Sequence, residues 1–313
     1  MKAPKPVFHF ILTFFQTSIW YMNTFIAQHA WTMRTSILLV YTVFIQSPLL
    51  SQSTKNYTSL EEAKANPAAV QWLTLRNQNL THIPEEVFSF TNLRYLDLSN
   101  NTIEVVQNEI SSLSHLFYLD LSGNKIQELP RGLKSVKSLR NLYLDYTHPK
   151  SLEADFTILK ELPMLRVLNI KGDSISALPA SIGQIKSLEY LELSDNQIEV
   201  LPNEISNLKK LQILYINNDW KFDLIKNIPI LSQLPNLKEL HLEGDRFQKI
   251  PREISNLSQL EKLYLNNNLL TELPEELRYL KSLRFIDITD NKMPHILLDL
   301  YKEKLEPTIR IKF

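Results

Sequence analysis

Apolar residues recur at fixed intervals along most of the chain. A typical stretch, LEYLELSDNQIEVLPNEISNLKK at residues 188–210, follows the pattern LxxLxLxxNxIxxLPxxIxxLxx. Similar units follow one another at spacings of 23 or 26 residues, and their first positions are Val70, Leu93, Leu116, Leu139, Leu165, Leu188, Leu211, Leu237, Leu260 and Leu283. Such a run predicts stacked structural units, each of which buries its apolar side against its neighbours.

Each unit has two halves with different patterns. In the first half, LxxLxL, apolar and polar residues alternate with a period of two, which predicts a short strand with one buried side. The second half, LPxxIxxL, returns the chain on the outer side of the stack, and its proline favours an extended or turn-starting backbone. The pattern therefore predicts an α/β repeat, a curved solenoid of about ten units with a parallel β-sheet on its concave face.

The ninth position of each unit, where the strand ends, is usually asparagine. A carboxamide both donates and accepts hydrogen bonds, so it can pair with turn backbone groups that would otherwise be buried without partners. Four units have at this position a residue that is less able than asparagine to donate hydrogen bonds as well as accept them: Thr147, Asp173, Asp219 and Asp245.

Residues 70 to about 291 resemble the leucine-rich repeat proteins, in particular the 23-residue, LP-containing subtype found in bacterial exported proteins and in plant and animal intracellular scaffolds. The resemblance implies a non-enzymatic binding protein without a cofactor, and it leaves the ligand open. Animal extracellular members have cysteine-bounded caps, whereas this chain has no cysteine. If the protein is extracellular, we therefore expect it to be bacterial.

The end units need caps that cover their leucines. We expect an N-terminal helical cap at residues 57–69, in which Ser59 and Glu62 form a capping box and the helix stops before Pro67. The C-terminal cap, residues 293–313, is expected to contain an apolar-striped helix from Ile296 to Leu305 and a last strand in TIRIKF.

A second period of 72 residues, which is three units, relates two parts of the repeat region. The 26-residue units at 139–164 and 211–236 share an LxxLY opening, and a Gly-Asp pair follows each of them in the next unit. A three-unit block was therefore duplicated. The longer outer segments are either a tolerated length variant or an interaction ridge, for which the candidates are Tyr146, His148, Trp220 and Phe222.

Side chains between the strand leucines are predicted to point to the concave face. Aromatic residues and carboxylates dominate these positions, and the candidates for partner binding are Trp72, Tyr95, Asp97, Tyr118, Asp120, Tyr143, Tyr190, Glu192, Tyr215, His241, Tyr264 and Phe285. Tyrosine provides contact area and a hydrogen-bonding group, and the carboxylates suit a basic partner. Tyrosine also packs well between strands without any ligand, which is the alternative explanation.

Composition excludes several kinds of chemistry. The 34 basic and 34 acidic residues cancel, so neither nucleic acid nor an anionic membrane surface is an expected partner. The chain has no phosphate-binding glycine motif, and its seven histidines have no metal-ligand spacing. Asp97 and Asp120 lie on neighbouring predicted strands, but an open, wet sheet does not shield an acid as a glycosidase requires. We therefore expect no enzyme, cofactor or metal site.

Residues 1–56 form an apolar N-terminal targeting region. Met33 and Arg34 precede the mainly apolar stretch from Ile37 to Ile45, and small residues follow at Ser51 and Ser53, which is the layout of a signal peptide cleaved near 51–53. In this interpretation residues 1–32 are an upstream extension or a mis-assigned start. A membrane anchor is the alternative, and it is the expected route to membrane contact if the segment is not cleaved.

The sequence therefore predicts an exported recognition module, secreted, periplasmic or on the cell surface, that binds a protein through its concave face. One alternative is a cytoplasmic scaffold of the kind that binds small GTPases, with a mis-assigned N-terminal region. The other is a carbohydrate-binding surface adhesin, which stacked aromatic residues would suit.

Overall fold

The computed structural model describes residues 55–305 and 309–313. Except for its last two residues, the predicted targeting region lies outside this part of the chain. The described residues form one parallel sheet of twelve strands in chain order. The strands are β1 (Asn56–Tyr57), β2 (Trp72–Thr74), β3 (Tyr95–Asp97), β4 (Tyr118–Asp120), β5 (Asn141–Tyr143), β6 (Val167–Asn169), β7 (Tyr190–Glu192), β8 (Ile213–Tyr215), β9 (Glu239–His241), β10 (Lys262–Tyr264), β11 (Phe285–Asp287) and β12 (Arg310–Lys312).

Each strand from β2 to β11 occupies the third to fifth positions of one predicted unit. The leucine or isoleucine in the middle of the strand points into the core, and Leu73, Leu96 and Leu119 have no exposed surface. Equivalent residues of neighbouring units pair directly, as Leu96 does with Leu119. The repeat pattern therefore predicted the parallel sheet and its buried side correctly, because every unit buries the same positions against the next.

The outer side of most units is a 3₁₀ helix of five residues. These helices are Glu85–Ser89, Asn108–Ser112, Arg131–Ser135, Ala180–Gln184, Asn203–Asn207, Arg252–Asn256 and Glu275–Tyr279. The proline of the LP pair usually precedes the helix with an extended backbone, as Pro202 does at φ −66° and ψ 145°. One apolar side chain in each helix, such as Ile205, is buried in the core.

The described residues also contain α-helices. They are α1 (Leu60–Lys64), α2 (Leu152–Leu159), α3 (Leu224–Leu231) and α4 (His295–Leu305). Helices α2 and α3 belong to the two 26-residue units, so the three extra residues convert a five-residue 3₁₀ helix into an eight-residue α-helix. Ser151 accepts a hydrogen bond from the backbone of Ala154 at the start of α2, and Asp223 accepts one from Lys226 at the start of α3.

The N-terminal cap differs from its prediction in two details. Asn56 and Tyr57 pair with β2, so the sheet begins within the last residues assigned to the targeting region. Ser59 precedes α1 but its side chain makes no capping hydrogen bond. Glu62, the expected partner of Ser59, instead forms an ion pair with Lys55 at 2.6 Å.

The C-terminal segment continues the stack. Helix α4 follows the last unit, and β12 pairs with β11 in the same parallel register as the other strands. Among residues 55–305 and 309–313, no helix has the length and apolar character needed to span a bilayer.

Asparagines at the ninth position connect successive units. Asn196 accepts hydrogen bonds from the backbone nitrogens of Asp173 and Ile175 and donates to the carbonyl oxygens of Ile170 and Leu193, at 2.7–3.1 Å. All four bonds are made to backbone, which would otherwise be buried with unsatisfied polar groups. The asparagine therefore has the turn role that the sequence predicted.

Aspartate at the same position satisfies the backbone only in part. Asp173, Asp219 and Asp245 each accept backbone hydrogen bonds through one carboxylate oxygen, but the other oxygen is buried without a partner. Burial raises the pKa of Asp219 to about 6 and that of Asp245 to about 9. The second carboxylate oxygen of these aspartates takes the place of the amide nitrogen of asparagine. This oxygen can donate a hydrogen bond only when it is protonated.

The eighth position of the units has a left-handed backbone. Asn100, Gly172 and Asn218 have φ values of 54°, 74° and 56° there, as expected for residue types that tolerate this conformation. Tyr146 has φ 55° at the equivalent position, although a bulky residue is strained in this region. A Cβ atom at Gly172 would lie 2.0 Å from the ring of Tyr146, so glycine makes room for that ring.

Candidate functional site

Two ladders of aromatic rings run along the concave face, which we define as the third and fifth positions of the units. In the first ladder, Trp72 stacks on Tyr95 with ring centroids 4.9 Å apart, Tyr95 stacks on Tyr118 at 4.2 Å, and Tyr143 is tilted against Tyr118 at 5.1 Å. The rings stack because the parallel register brings equivalent positions of neighbouring strands into contact.

The second ladder begins two strands further on. Tyr190 is tilted against Tyr215 at 5.2 Å, and His241 lies between Tyr215 and Tyr264 with centroids at 3.7 and 4.0 Å. Phe285 ends the ladder at 5.3 Å from Tyr264. His241 is thus part of a ring stack as well as a titratable group.

The duplicated block carries the same ring contact twice. Between Tyr118 and Tyr143 the first ladder changes from the third to the fifth position of the units, and the two rings are at 37° to each other. Tyr190 and Tyr215, which lie 72 residues later, make the equivalent step at 40°. The duplication therefore copied a piece of the concave face together with its core.

The twelve predicted binding residues all lie on this face, but they differ in exposure. Half-buried side chains are Trp72, Tyr95, Asp120, Tyr264 and Phe285, and buried ones are Asp97, Tyr118, Tyr143, Tyr190, Glu192, Tyr215 and His241. Tyr95 and His241 have a ring stacked on each side. Cross-strand packing thus accounts for much of the aromatic content, and the role of these residues in partner binding stays a prediction.

Carboxylates at the fifth position also have a local structural role. Asp97, Asp120, Glu192 and Asp287 each accept a hydrogen bond from the backbone nitrogen two residues later, at 2.9–3.1 Å. This bond fixes the turn at the end of the strand. Asp97, Asp120 and Glu192 were expected from the sequence to face a basic partner, and their contact with the turn backbone was not predicted.

The charge of His241 is set by carboxylates on both sides of its ring. Nδ1 lies 3.4 Å from Oε2 of Glu243, and Nε2 lies 3.9 Å from Oε2 of Glu239. Burial alone would lower the pKa of His241, but the two carboxylates outweigh it and raise that pKa overall. Glu239 is also paired with Lys262 at 2.9 Å.

The two ladders are separated at β6, where Val167 and Asn169 take the places of rings. Acids surround this interruption. Burial and the nearby carboxylates of Glu192 and Asp120 raise the pKa of Asp145 to about 8. Burial, reinforced by Asp97, raises the pKa of Asp120 to about 6.

Asn169 lies among these acids. Its Nδ2 donates to Oδ2 of Asp145 at 3.1 Å, whereas its Oδ1 is buried and accepts no hydrogen bond. Lys171, the neighbouring cation, pairs with Asp195 at 3.0 Å. Sequence reasoning did not single out Asp145 or Asn169, although the missing aromatic residue at both concave positions of this unit was a visible signal.

The predicted outer ridge is partly wrong. Phe222 is only 4% exposed and packs in the hydrophobic core, because its apolar ring fills the interior beneath the turn that leads to α3. Trp220 is 58% exposed, with Nζ of Lys221 5.2 Å from its ring centroid. Tyr146 is 46% exposed, and its hydroxyl donates to Asp195 at 3.1 Å.

Within the described ranges, no three His, Asp or Glu side chains come together in a metal-binding arrangement.

Comparisons with known proteins identify the repeats. The model of the leucine-rich repeat region matches residues 132–237, and the leucine rich repeat model matches residues 68–126 and 235–293. Comparison with curated protein sequences gave no significant match.

Solved structures with a similar fold include an internalin and TLR13. An internalin from Listeria monocytogenes is 22% identical with a TM-score of 0.61, and the match covers 78% of this chain and 67% of that one. TLR13, solved in complex with ssRNA13, is 24% identical with a TM-score of 0.65, and the match covers 78% of this chain and 37% of TLR13. At these identities the likeness concerns the fold. Together with the parallel sheet and the repeat matches, it establishes that the chain belongs to the leucine-rich repeat proteins.

Proposed function

We propose that this protein is a non-catalytic recognition module that binds a protein partner through its concave face. The observation that carries the proposal is the pair of ring ladders, which extends over nine of the strands from β2 to β11 together with a row of carboxylates. Stacked rings are fixed before a partner arrives, so binding costs less side-chain entropy than it would for mobile tyrosines.

The chemistry of the face favours protein over the other ligand classes. A sugar would need an open ring face to stack on, whereas Tyr95 and His241 are covered by rings on both sides. A nucleic acid of the kind named with TLR13 is a polyanion, and the acids Asp97, Asp120 and Glu192 on this face would repel it. Protein offers basic and apolar groups together.

The proposal is tested by blocking the face without removing the stacked rings. Thr74→Arg and Ile213→Arg each place a long side chain on a half-buried concave position, and Asn203→Arg and Asn256→Arg place it on exposed outer 3₁₀ helices. We expect a partner recovered by crosslinking from the native source to be retained by the wild-type chain and the outer variants and lost by the concave ones. Equal recovery by all four variants would contradict concave binding.

We further propose that the protein is exported, as the layout of residues 33–53 suggests. We expect N-terminal sequencing of the native protein to find a mature chain that begins near residues 51–53, in a secreted or surface fraction. A chain that retains Met1 in the cytoplasmic fraction would instead support the intracellular scaffold.

A further inference from the structure

We propose that the interruption between the ring ladders at β6 is a slot for an arginine side chain of the partner, bound by Asp145 and Glu192. This inference rests on the proposed concave-face function and specifies what the partner presents there.

The first argument is charge. Asn169 lies between the two carboxylates, because its Nδ2 donates to Oδ2 of Asp145 at 3.1 Å and strand pairing sets it directly opposite Glu192. Lys171, the cation beside them, is engaged by Asp195 at 3.0 Å. Burial raises the pKa of Glu192 and raises that of Asp145 to about 8, and a bound cation would favour the ionised form of both carboxyl groups.

The second argument is the buried acceptor of Asn169. Strand pairing sets Asn169 directly opposite Glu192 on one side, and its Nδ2 is fixed by Asp145 on the other. The remaining amide oxygen, Oδ1, has no hydrogen-bond partner within the described residues. A buried acceptor of this kind is costly, and a donor brought by a ligand would satisfy it.

The third argument is shape. The first ladder ends at Tyr143 on β5 and the second begins at Tyr190 on β7, so aromatic residues bound the slot along the sheet. Two strand spacings separate β5 from β7, which is about 10 Å. A guanidinium group is planar, stacks on aromatic rings and has five donors in a fixed geometry, which suits the carboxylates of Asp145 and Glu192 and the unpartnered Oδ1 of Asn169.

The test uses backbone amides that already report on the two carboxylates. The nitrogens of Lys171 and Ser194 donate to Asp145 and Glu192, each at 3.0 Å. The full chain, labelled with ¹⁵N, is titrated with acetyl-Gly-Gly-Arg-Gly-Gly-amide and with the same peptide containing citrulline, which has nearly the same shape and no charge. We expect saturable shifts at these two amides and about fivefold or more tighter binding of the arginine peptide.

Variants separate the slot from general attraction to acids. We expect Asp145→Asn and Glu192→Gln each to weaken binding of the arginine peptide by about threefold or more. Glu239→Gln is the matched control, because this concave carboxylate is already paired with Lys262 at 2.9 Å and its loss should change little. Thermal melting of each variant establishes that it is folded.

Three results would overturn the slot: equal affinity for the citrulline peptide, equal affinity for a lysine peptide, or shifts centred on Thr289 at the other end of the sheet. These outcomes are distinct from failure of the proposed function. If the arginine peptide does not bind but Ile213→Arg still abolishes partner binding, the slot is wrong and the concave site stands. If the peptide binds but the Ile213→Arg variant still binds the partner as the wild type does, the concave partner site is wrong.

Discussion

Asp245 accepts a hydrogen bond from the backbone nitrogen of Asp219 at 2.7 Å through Oδ1, while its Oδ2 is buried without a partner. Asn196, at the same position of another unit, donates two hydrogen bonds from its amide nitrogen. We expect Asp245→Asn to raise the free energy of unfolding by about 1–3 kcal/mol at neutral pH, because the amide supplies a donor without the cost of keeping a buried carboxyl group protonated. Urea denaturation measures the change, and an unchanged or lower value would contradict this account.

The same contact predicts how stability depends on pH. Burial raises the pKa of folded Asp245 to about 9, above the value of about 3.9 expected for an unfolded aspartate. Between these values the folded state binds more protons, so this contribution to stability is present at low pH and is lost as pH rises through the folded pKa. We expect the free energy of unfolding, measured by denaturation between about pH 5 and 9, to decline less with pH in Asp245→Asn than in the wild-type protein. Asp290→Asn, an exposed control, should decline like wild type.

Asn196 provides the converse experiment. Its four backbone hydrogen bonds include two in which the side chain donates, and aspartate would replace the donor with an acceptor. We expect Asn196→Asp and Asn196→Ala each to lower the free energy of unfolding at neutral pH by about 2–4 kcal/mol. Asn207→Ala, on an exposed outer helix, should change it by less than about 0.5 kcal/mol. Similar effects at the two asparagines would rule out a special role for the ninth position.

Gly172 and Tyr146 are expected to be energetically coupled. A Cβ at position 172 would meet the Tyr146 ring at 2.0 Å, and φ at Gly172 is +74°. Gly172→Ala should therefore be strongly destabilising, and its cost should fall by about 1 kcal/mol or more when Tyr146→Ala has removed the ring. The residual cost reflects the left-handed backbone. Additive effects in this double-mutant cycle would show that the ring does not require the glycine.

The titration of His241 checks the electrostatics of the concave face. Because Glu243 and Glu239 raise its pKa above the unfolded value of about 6.5, its contribution to stability is fully present below that pH and is lost as pH rises through the folded pKa. We expect Glu243→Gln to lower the pKa of His241, as followed by the proton resonances of its ring. Glu272→Gln, an exposed carboxylate paired with Lys249, should leave the pKa unchanged.

The sheet was predictable because burial in a repeat is local. Leu73, Leu96 and Leu119 occupy the same position in successive units, so their alternation with polar residues specified both the strand and its buried side. The turn role of Asn196 followed in the same way from the chemistry of its amide. No long-range packing had to be known.

The candidate site was less predictable because the pattern says which side a residue faces and not which neighbours cover it. Tyr95 and His241 were placed on the correct face, but their enclosure between stacked rings depends on distances that only the structure provides. Phe222 was expected outside, yet the extra turn of helix in its unit leaves it in the core. Asn169 became notable only once its unpartnered oxygen was located.

The 72-residue duplication makes the length of this protein adjustable. Because the equivalent ring contacts, Tyr118 with Tyr143 and Tyr190 with Tyr215, have nearly the same geometry, a chain that gains or loses one 72-residue block would keep these contacts in register. Each event would add or remove three strands, about 14 Å of concave face, without a frameshift or a new core. Natural variants of this gene should therefore differ in whole blocks of three units, and partners of different length could be accommodated without inventing a new surface.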